Sequence, residues 1–425
     1  MLIFHVDINS AFLSWSALKK LQEDPGSVDL RKIPSAVGGD VNTRHGVITA
    51  KSIPAKKYGI KTGEPVVTAL KKCPSLLLVP ADFTAYRSYS AAFIKILSSY
   101  TDKVEQVSID EAFLDLSDHE GKEEPISLAN RLKDQVKREL GFTVNVGISN
   151  NKLLAKMASD FTKPDRVHTL YPNEIRSKMW PLPIGELYGC GGASSKKLSS
   201  VGILTIGDAA QTSLSYLQDL LGEKAGAYIH RSANGIGSDV VKTEERLAKS
   251  YSNETTTAFD IVGENYEAEM LPLLKKLSKK VATRMKKDQI KAFTIGIQVK
   301  TSAFQRRSRQ LKLSSSTNEA QVIYQAVKKL SDQLLLGSEG LFAEGMGIRL
   351  IGVFASGLDD DQFHQMDLSE LLKRREEDLE KEKVRKEQAE KKEKLRLMTQ
   401  QIRSRFGDDA ISPGFHIETE QDKHK

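Results

Sequence analysis

The chain has 425 residues, with 63 Lys and Arg against 56 Asp and Glu for a net charge of +7. That length leaves room for two to four domains with ample core, and two widely separated cysteines, Cys73 and Cys190, indicate neither a disulfide framework nor a four-ligand zinc site. The mild global charge hides a concentration: from Leu271 to Leu313 thirteen Lys or Arg stand against one acid, Asp288, the electrostatic footprint of a polyanionic partner.

Residues 2 to 7, LIFHVD, read as a buried strand ending in an acid, and SAFLSWSALKKL follows as a helix with Ala11, Trp15 and Leu18 on one stripe. No basic leader precedes this strand, and its apolar run meets Asp7 too soon for a signal peptide or a membrane span. A reducing cytoplasm and no membrane association are therefore expected. Strand-like GVITA and SLLLV, helices near 83–100 and 127–140, and the strand TVNVGI complete a mixed α/β unit ending near residue 170. From about 172 to 240 the chain is Gly- and Ser-rich and mostly helical, with LYGCGGASSKKLSSVGI at its centre. After the polar connection KTEERLAKSYSNE come the strand TTAFDI, a helix over about 266–287 with Leu274, Leu277, Val281 and Met285 inward, and the strands FTIGIQVK and RQLKLS. Ser316 and Glu319 form a capping-box signature opening a helix with Val322, Ala326 and Leu330 inward, and IRLIGVF closes the unit. This β-α-β-β-α-β order predicts a four-stranded sheet backed by two helices, one face left free for a partner. From Lys373 to Arg396 interleaved charges dominate, as in a solvated helix or a disordered tail.

One stretch resists a purely structural reading. VSIDEAFLDLS, residues 107–117, sets Asp110 beside Glu111 inside a strand-like run. Neighbours on a strand point to opposite faces, so the two serve one site only if the backbone turns between them, and Ser108 to Glu111 is expected at a hairpin tip. Two carboxylates about 4 Å apart repel by roughly 1 to 4 kcal/mol at effective dielectrics of 80 down to 20, which a cation offsets. A solvated loop with two acids is the plain alternative. With Asp7 at the end of the first strand, three carboxylates could hold two divalent ions, the device for in-line displacement at phosphorus. Magnesium suits such oxygen ligands, with manganese as a substitute and the Ile8 carbonyl as a further ligand.

HVDINSAFLSW, SAVGG, GVITAKSIPAKKYGIKTGEP, VSIDEAFLDLS and VGISNNKLLAKMASDFTKP occur in the order and approximate spacing of the Y-family, or translesion, DNA polymerases, and the chain resembles the bacterial DNA polymerase IV and UmuC-like group over about residues 1–355. The resemblance implies a multidomain α+β right hand: palm and fingers over 1–170 (fingers about 20–78), a helix-hairpin-helix thumb over 171–240, a linker over 241–253, a little finger over 254–356 and a charged tail over 357–425. It implies a DNA-directed DNA polymerase, monomeric, that extends a primer on template DNA with dNTPs, at low fidelity, with Asp7, Asp110 and Glu111 holding two Mg2+ ions. Phe12 matches the aromatic steric gate that leaves no room for a 2′-hydroxyl, and Lys56 and Lys163 match basic positions that meet the triphosphate. In isolation Phe12 would read as a core aromatic and the lysines as surface residues. Where the family often has Tyr-Pro-Ala-Arg-Lys, this chain has Ile53-Pro54-Ala55-Lys56-Lys57, so a hydroxyl contact is lost and a guanidinium gives way to an ammonium.

LYGCGG resembles a helix-hairpin-helix turn in which Gly189 and Gly191 let the backbone approach a DNA phosphate; a Gly-rich interhelical turn without a ligand is the alternative. Lys275, Lys276, Lys279, Lys280, Arg306, Arg307 and Arg309 would grip the DNA backbone. In HQMDLSELL, Gln365, Met366 and Leu368 resemble the peptide by which bacterial polymerases bind the sliding clamp, although Ser369 stands where an apolar anchor is usual. Two other functions stand beside polymerisation. A nucleotidyl cyclase-like palm would need neither the thumb hairpin nor the basic third unit; a non-catalytic damaged-DNA binding or clamp-recruited scaffold would not need all three acids.

Overall fold

The computed structural model describes residues 1–40, 46–244 and 247–359, with a few further positions between Lys394 and Arg405. The elements of the first 170 residues are β1 (Ile3–Ile8), α1 (Ala11–Glu23), β2 (Ser35–Gly38), β3 (Ile48–Lys51), α2 (Ile53–Lys57), α3 (Val66–Lys72), β4 (Leu77–Val79), α4 (Phe83–Ser98), β5 (Val104–Gln106), β6 (Glu111–Asp115), α5 (Pro125–Leu140), β7 (Val144–Ser149), α6 (Lys152–Asp160) and β8 (Val167–Thr169). Four helices follow, α7 (Gly192–Ser199), α8 (Ile206–Gln211), α9 (Leu214–Leu221) and α10 (Glu223–Ala233). The last unit is β9 (Ser250–Ile261), α11 (Leu271–Lys287), β10 (Lys291–Thr301), β11 (Arg306–Thr317), α12 (Ala320–Leu335) and β12 (Ile348–Asp359). No described helix is long and apolar enough to cross a membrane.

The first sheet is built around β1. Every β1 residue except Asp7 is buried, and the strand lies between β6 and β7, antiparallel to both, in the order β5-β6-β1-β7-β8. Its alternation assigns two jobs. Phe4, Val6 and Ile8 join Phe93, Leu97, Leu128 and Leu132 from α4 and α5 in one core, while Ile3 packs with Phe113 and Ala155, on the side of α6. Gly147 of β7 lets α6 settle there: an added Cβ would collide with the Ala155 carbonyl oxygen, a close backbone approach that a glycine within a strand pattern signals.

GVITA and SLLLV, expected in one unit with the first strand, do not join its sheet. They contribute β3 and β4 to a separate sheet of order β3-β2-β4, in which β2 and β4 run parallel across a crossover carrying α2 and α3. The physical reason is a local core: Ala36, Ile48, Ala55, Ile60, Val66, Ala69 and Cys73 bury one another, and α1 docks on this layer through Leu13 and Ala17.

Helices α7 to α10 enclose their own core with Leu198, Ile206, Leu217 and Ile229. In the last unit the strands are ordered β11-β10-β12-β9, all antiparallel. Leu274, Leu277, Val281 and Met285 of α11 pack as expected against Ile295, Ile297, Val299, Ile351 and Val353. Three sequence expectations fail here. β9 begins at Ser250, inside the segment assigned to a linker. The Ser316–Glu319 capping box does not form, because β11 runs on to Thr317 and Ser316 Oγ donates to Asp359 Oδ2 at 2.8 Å. Val322 faces solvent at 39% exposure while Ile323 is fully buried, a displacement of one position on the helix.

Candidate active site

Asp7 and Glu111 are cross-strand partners in the β1–β6 ladder, and directly opposite residues project from the same face. Asp110 lies just outside β6, in a turn closed by Val107 N–H and Ser108 N–H on the Glu111 carbonyl at 3.1 and 3.3 Å. Its own carbonyl accepts from Ile8 N–H at 3.0 Å. Adjacent acids can thus serve one site because one belongs to a turn and the other to a strand. The backbone thus sets Asp7, Ile8, Asp110 and Glu111 at the adjoining ends of β1 and β6.

Two residues that the sequence reading missed organise the carboxylates. Lys156 Nζ, from α6, lies 2.8 Å from Glu111 Oε2 and 3.3 Å from Asp7 Oδ2. His5, fully buried, places Nδ1 2.8 Å from Ser159 Oγ and Nε2 3.2 Å from Glu111 Oε2, near enough to feel its charge without the alignment of a hydrogen bond. For His5 a signal lies in the sequence, whereas for Lys156 it emerges only in the fold. His5 sits two residues before Asp7, on the same strand face, and the Gly147 contact turns Lys156 inward. Lys163 Nζ contacts Asp7 Oδ1 at 3.1 Å and Asp160 Oδ1 at 2.8 Å.

Proximity to His5 and Lys156 holds the Glu111 carboxyl at about 2, against the opposing effect of burial. Burial disfavours the charge on Lys156, but Asp7 and Glu111 outweigh it and push the amine above its usual range. Asp110 moves the other way: burial raises its carboxyl pKa, the Ser108 hydroxyl opposes the rise, and the charges of Asp7 and Glu111 add to it. Burial lowers the His5 pKa, against the pull of the Glu111 and Asp7 charges. Among the described residues no three His, Cys, Asp or Glu side chains converge on one point as a metal cage, and Asp110 Oδ1 takes a 2.6 Å hydrogen bond from Ser108 Oγ. The residues nevertheless fit a divalent cation in donor chemistry and backbone register. All three are hard carboxylate donors, and an ammonium already occupies the space between two of them.

Asp7 also lines a cavity of about 330 Å³ with Arg31, Lys51, Lys56 and Lys163 in its walls. Ser10, another lining residue, holds the left-handed φ of 48°, local strain of the kind found at functional sites. Phe12 does not line this cavity. Its ring stacks on Tyr86 at 4.8 Å between centroids and 16° between planes, with Trp15 and Phe83 at 6.0 and 6.1 Å.

The other expected site residues are scattered. Gly189 has φ +84°, and an added Cβ would meet the Tyr228 ring at about 2.5 Å, so local packing alone accounts for it. Gly191, the N-cap of α7, has φ −67° and no atom within 4 Å of a built Cβ. Its surroundings are open. Lys275, Lys276, Lys279 and Lys280 are exposed on α11, which backs the sheet, so they do not share a surface with its open face. Cross-strand register places Arg306 on that open face with Lys300 and Lys312, while Arg307 and Arg309 pair with Val299 and Ile297 on the helix side. The expected basic patch is therefore divided, because an exposed helix stripe and alternate strand residues point in different directions. Gln365, Met366 and Leu368 lie outside the described residues.

Comparison with known proteins follows this geometry. The impB/mucB/samB family matches residues 6–160, its C-terminal domain residues 248–368, and the thumb domain of DNA polymerase-iota residues 185–237. The chain is 38% identical to DNA polymerase IV of Clostridium acetobutylicum across 99% of both chains, and 30% identical to DNA polymerase IV 1 of Bacillus subtilis across 100% of this chain and 95% of the relative. Among solved structures, a Y-family DNA polymerase chimera of Dbh and Dpo4 aligns with 84% of this chain and 98% of its own at a TM-score of 0.70 and 24% identity. A Dbh ternary complex covers 84% of this chain and 99% of its own at a TM-score of 0.56 and 23% identity. The fold is that of a right-hand polymerase, with palm, fingers, helix-hairpin-helix thumb and little finger. The chain belongs to the Y-family DNA polymerases, in the DNA polymerase IV group, and is a DNA-directed DNA polymerase of translesion synthesis. Template-primer DNA and deoxynucleotides are its substrates, and its family is metal-dependent.

Proposed function

We propose that Asp7, Asp110 and Glu111 are the catalytic residues and, with the Ile8 carbonyl, hold two magnesium ions, for which manganese can substitute. Bound there, the ions would activate the primer 3′-oxygen and offset charge on the departing pyrophosphate. Lys56 and Lys163, in the walls of the cavity beside Asp7, meet the triphosphate as point charges. Phe12, outside the cavity walls but between the lining residues Ser10 and Leu13 in sequence, limits the sugar to its deoxy form, with its ring held by the Tyr86 stack. The Gly191 turn and the open face of the last sheet hold the duplex backbone without reading sequence, which suits low-fidelity synthesis in short runs opposite damaged template. The enzyme works in the cytoplasm as a monomer, and Gln365, Met366 and Leu368 recruit it to the sliding clamp.

The observation that carries this reading is the β1–β6 register: Asp7 is opposite Glu111, and Asp110 is tied to Ile8. Replacing Asp110 and Glu111 by alanine is expected to abolish magnesium-dependent primer extension while primer-template binding in a gel-shift assay persists. Extension by the double variant would refute the assignment.

A further inference from the structure

Lys51 ends β3 and lines the cavity of about 330 Å³ beside Asp7. Its environment differs from that of its cationic neighbours. Arg31 is engaged by Asp29, with its Nη2 at 2.9 Å from Oδ2, and by the Gly141 carbonyl. Lys163 is shared between Asp7 and Asp160. Lys51 is half-buried, and its Nζ donates to the neutral Thr62 Oγ1 at 3.1 Å. Among the described residues no carboxylate lies within ion-pair distance of Lys51, and Glu64, whose charge it feels, is taken by Lys72. Burial and the charge of Lys56 both push the Lys51 amine below its ordinary value.

A partly desolvated ammonium without a counter-ion is costly, and here it is held in a cavity wall next to other cations. Such a wall is completed by a polyanion that enters the cavity. We propose that Lys51 is a further nucleotide-binding residue, contacting the triphosphate of the incoming dNTP together with Lys56. This inference rests on the cavity being the nucleotide site of the polymerase.

The test is single-nucleotide incorporation by the full chain with magnesium, comparing wild type, Lys51→Met and Lys51→Arg. Lys51→Met is expected to raise the KM for dNTP about tenfold, the scale of one charged contact, with the larger part of the loss in KM rather than kcat. The Ki of inorganic tripolyphosphate as competitor should rise in parallel, while the Kd for primer-template measured without dNTP holds and Lys51→Arg stays near wild type. The melting temperature of Lys51→Met should match or exceed that of wild type, since the change removes an unpaired, half-buried charge; a structural lysine would instead lower it. An unchanged KM and Ki, or a KM that rises only together with the DNA Kd, overturns the role of Lys51. Absence of incorporation by the wild type would bring down the polymerase site itself, and this inference with it.

Discussion

In the sheet around β1 the charges of the candidate site are few, part-buried and paired: Asp7 and Glu111 share Lys156, whose side chain is only 12% exposed. In the β11-β10-β12-β9 sheet the charges are many and exposed. Lys300, Arg306 and Lys312 share a face by register, and Arg306 has only a loose 3.7 Å contact with Glu254. Both sheets are antiparallel around their central strands and carry helices, so architecture does not explain the contrast. Position does. Phosphoryl chemistry needs oxygens placed within a fraction of an ångström, and a strand ladder next to a tight turn provides that. Holding a duplex backbone needs positive charge over an area, which an exposed strand face provides without pairing.

The contrast can be broken at the DNA-facing end. Replacing Lys300, Arg306 and Lys312 together by alanine is expected to weaken primer-template binding roughly 10- to 100-fold near physiological salt and to reduce the slope of log affinity against log salt by about 2 to 3. The matching change at Lys275, Lys276, Lys279 and Lys280, on the helix behind the sheet, should cost less than about threefold and less than about one unit of slope. Fluorescence anisotropy across a salt series separates them. A larger loss from the helix variant would show that the open face is not the DNA surface.

The two sheets also differ in how much of them is legible in sequence. The β1 run is apolar and ends in an acid, and the Asp110-Glu111 pair demands a turn, so both the strand and the turn beside it can be read from residue order. Membership of a sheet cannot: GVITA and SLLLV look like any short apolar strands, and only the local core around Ile48 and Val66 assigns them elsewhere. Lys156 has the pattern of a surface lysine on an amphipathic helix, and it becomes a site residue because Gly147 admits α6 at backbone contact. Charge counting found the basic third unit. Charge along the sequence does not distinguish an α11 stripe from alternate residues of β11, and so it puts Lys275 and Arg306 in one patch.

At the catalytic end, Lys156→Met would leave Asp7 and Glu111, with side chains 17% and 20% exposed, facing each other without their bridging cation. In EDTA this should destabilise the first unit by about 2 kcal/mol, or roughly 4 to 8 °C in its melting transition. Magnesium should recover much of the loss by supplying the missing positive charge. An unchanged transition in EDTA would show that Lys156 does not offset carboxylate repulsion. The acid limb of stability bears on the same pair. With Glu111 held at about 2 against an ordinary 4.5, its contribution is complete above pH 4.5 and is lost as pH falls toward 2. Glu111→Gln should flatten that limb, read by hydrogen exchange of the β1 amides.

The smallest effect tests an acid that the register sets among the cations of the open face. Glu254 is opposite Gly352, which is opposite Gln298, and its Oε2 accepts from Gln298 Nε2 at 2.8 Å while lying 3.7 Å from Arg306. An exposed carboxylate here repels phosphate and partly neutralises Arg306, yet at this exposure the coupling is screened and amounts to no more than about 1 kcal/mol. Glu254→Gln retains the hydrogen-bonding shape and removes the charge, so primer-template affinity should rise about two- to fourfold at low salt. The gain should fade as salt increases, because exposed charges lose their reach beyond a Debye length of about 10 Å at 0.1 M. Tighter binding that persists at high salt would mean that Glu254 acts on the shape of the sheet rather than on its potential, and a loss of binding would place the DNA on another surface.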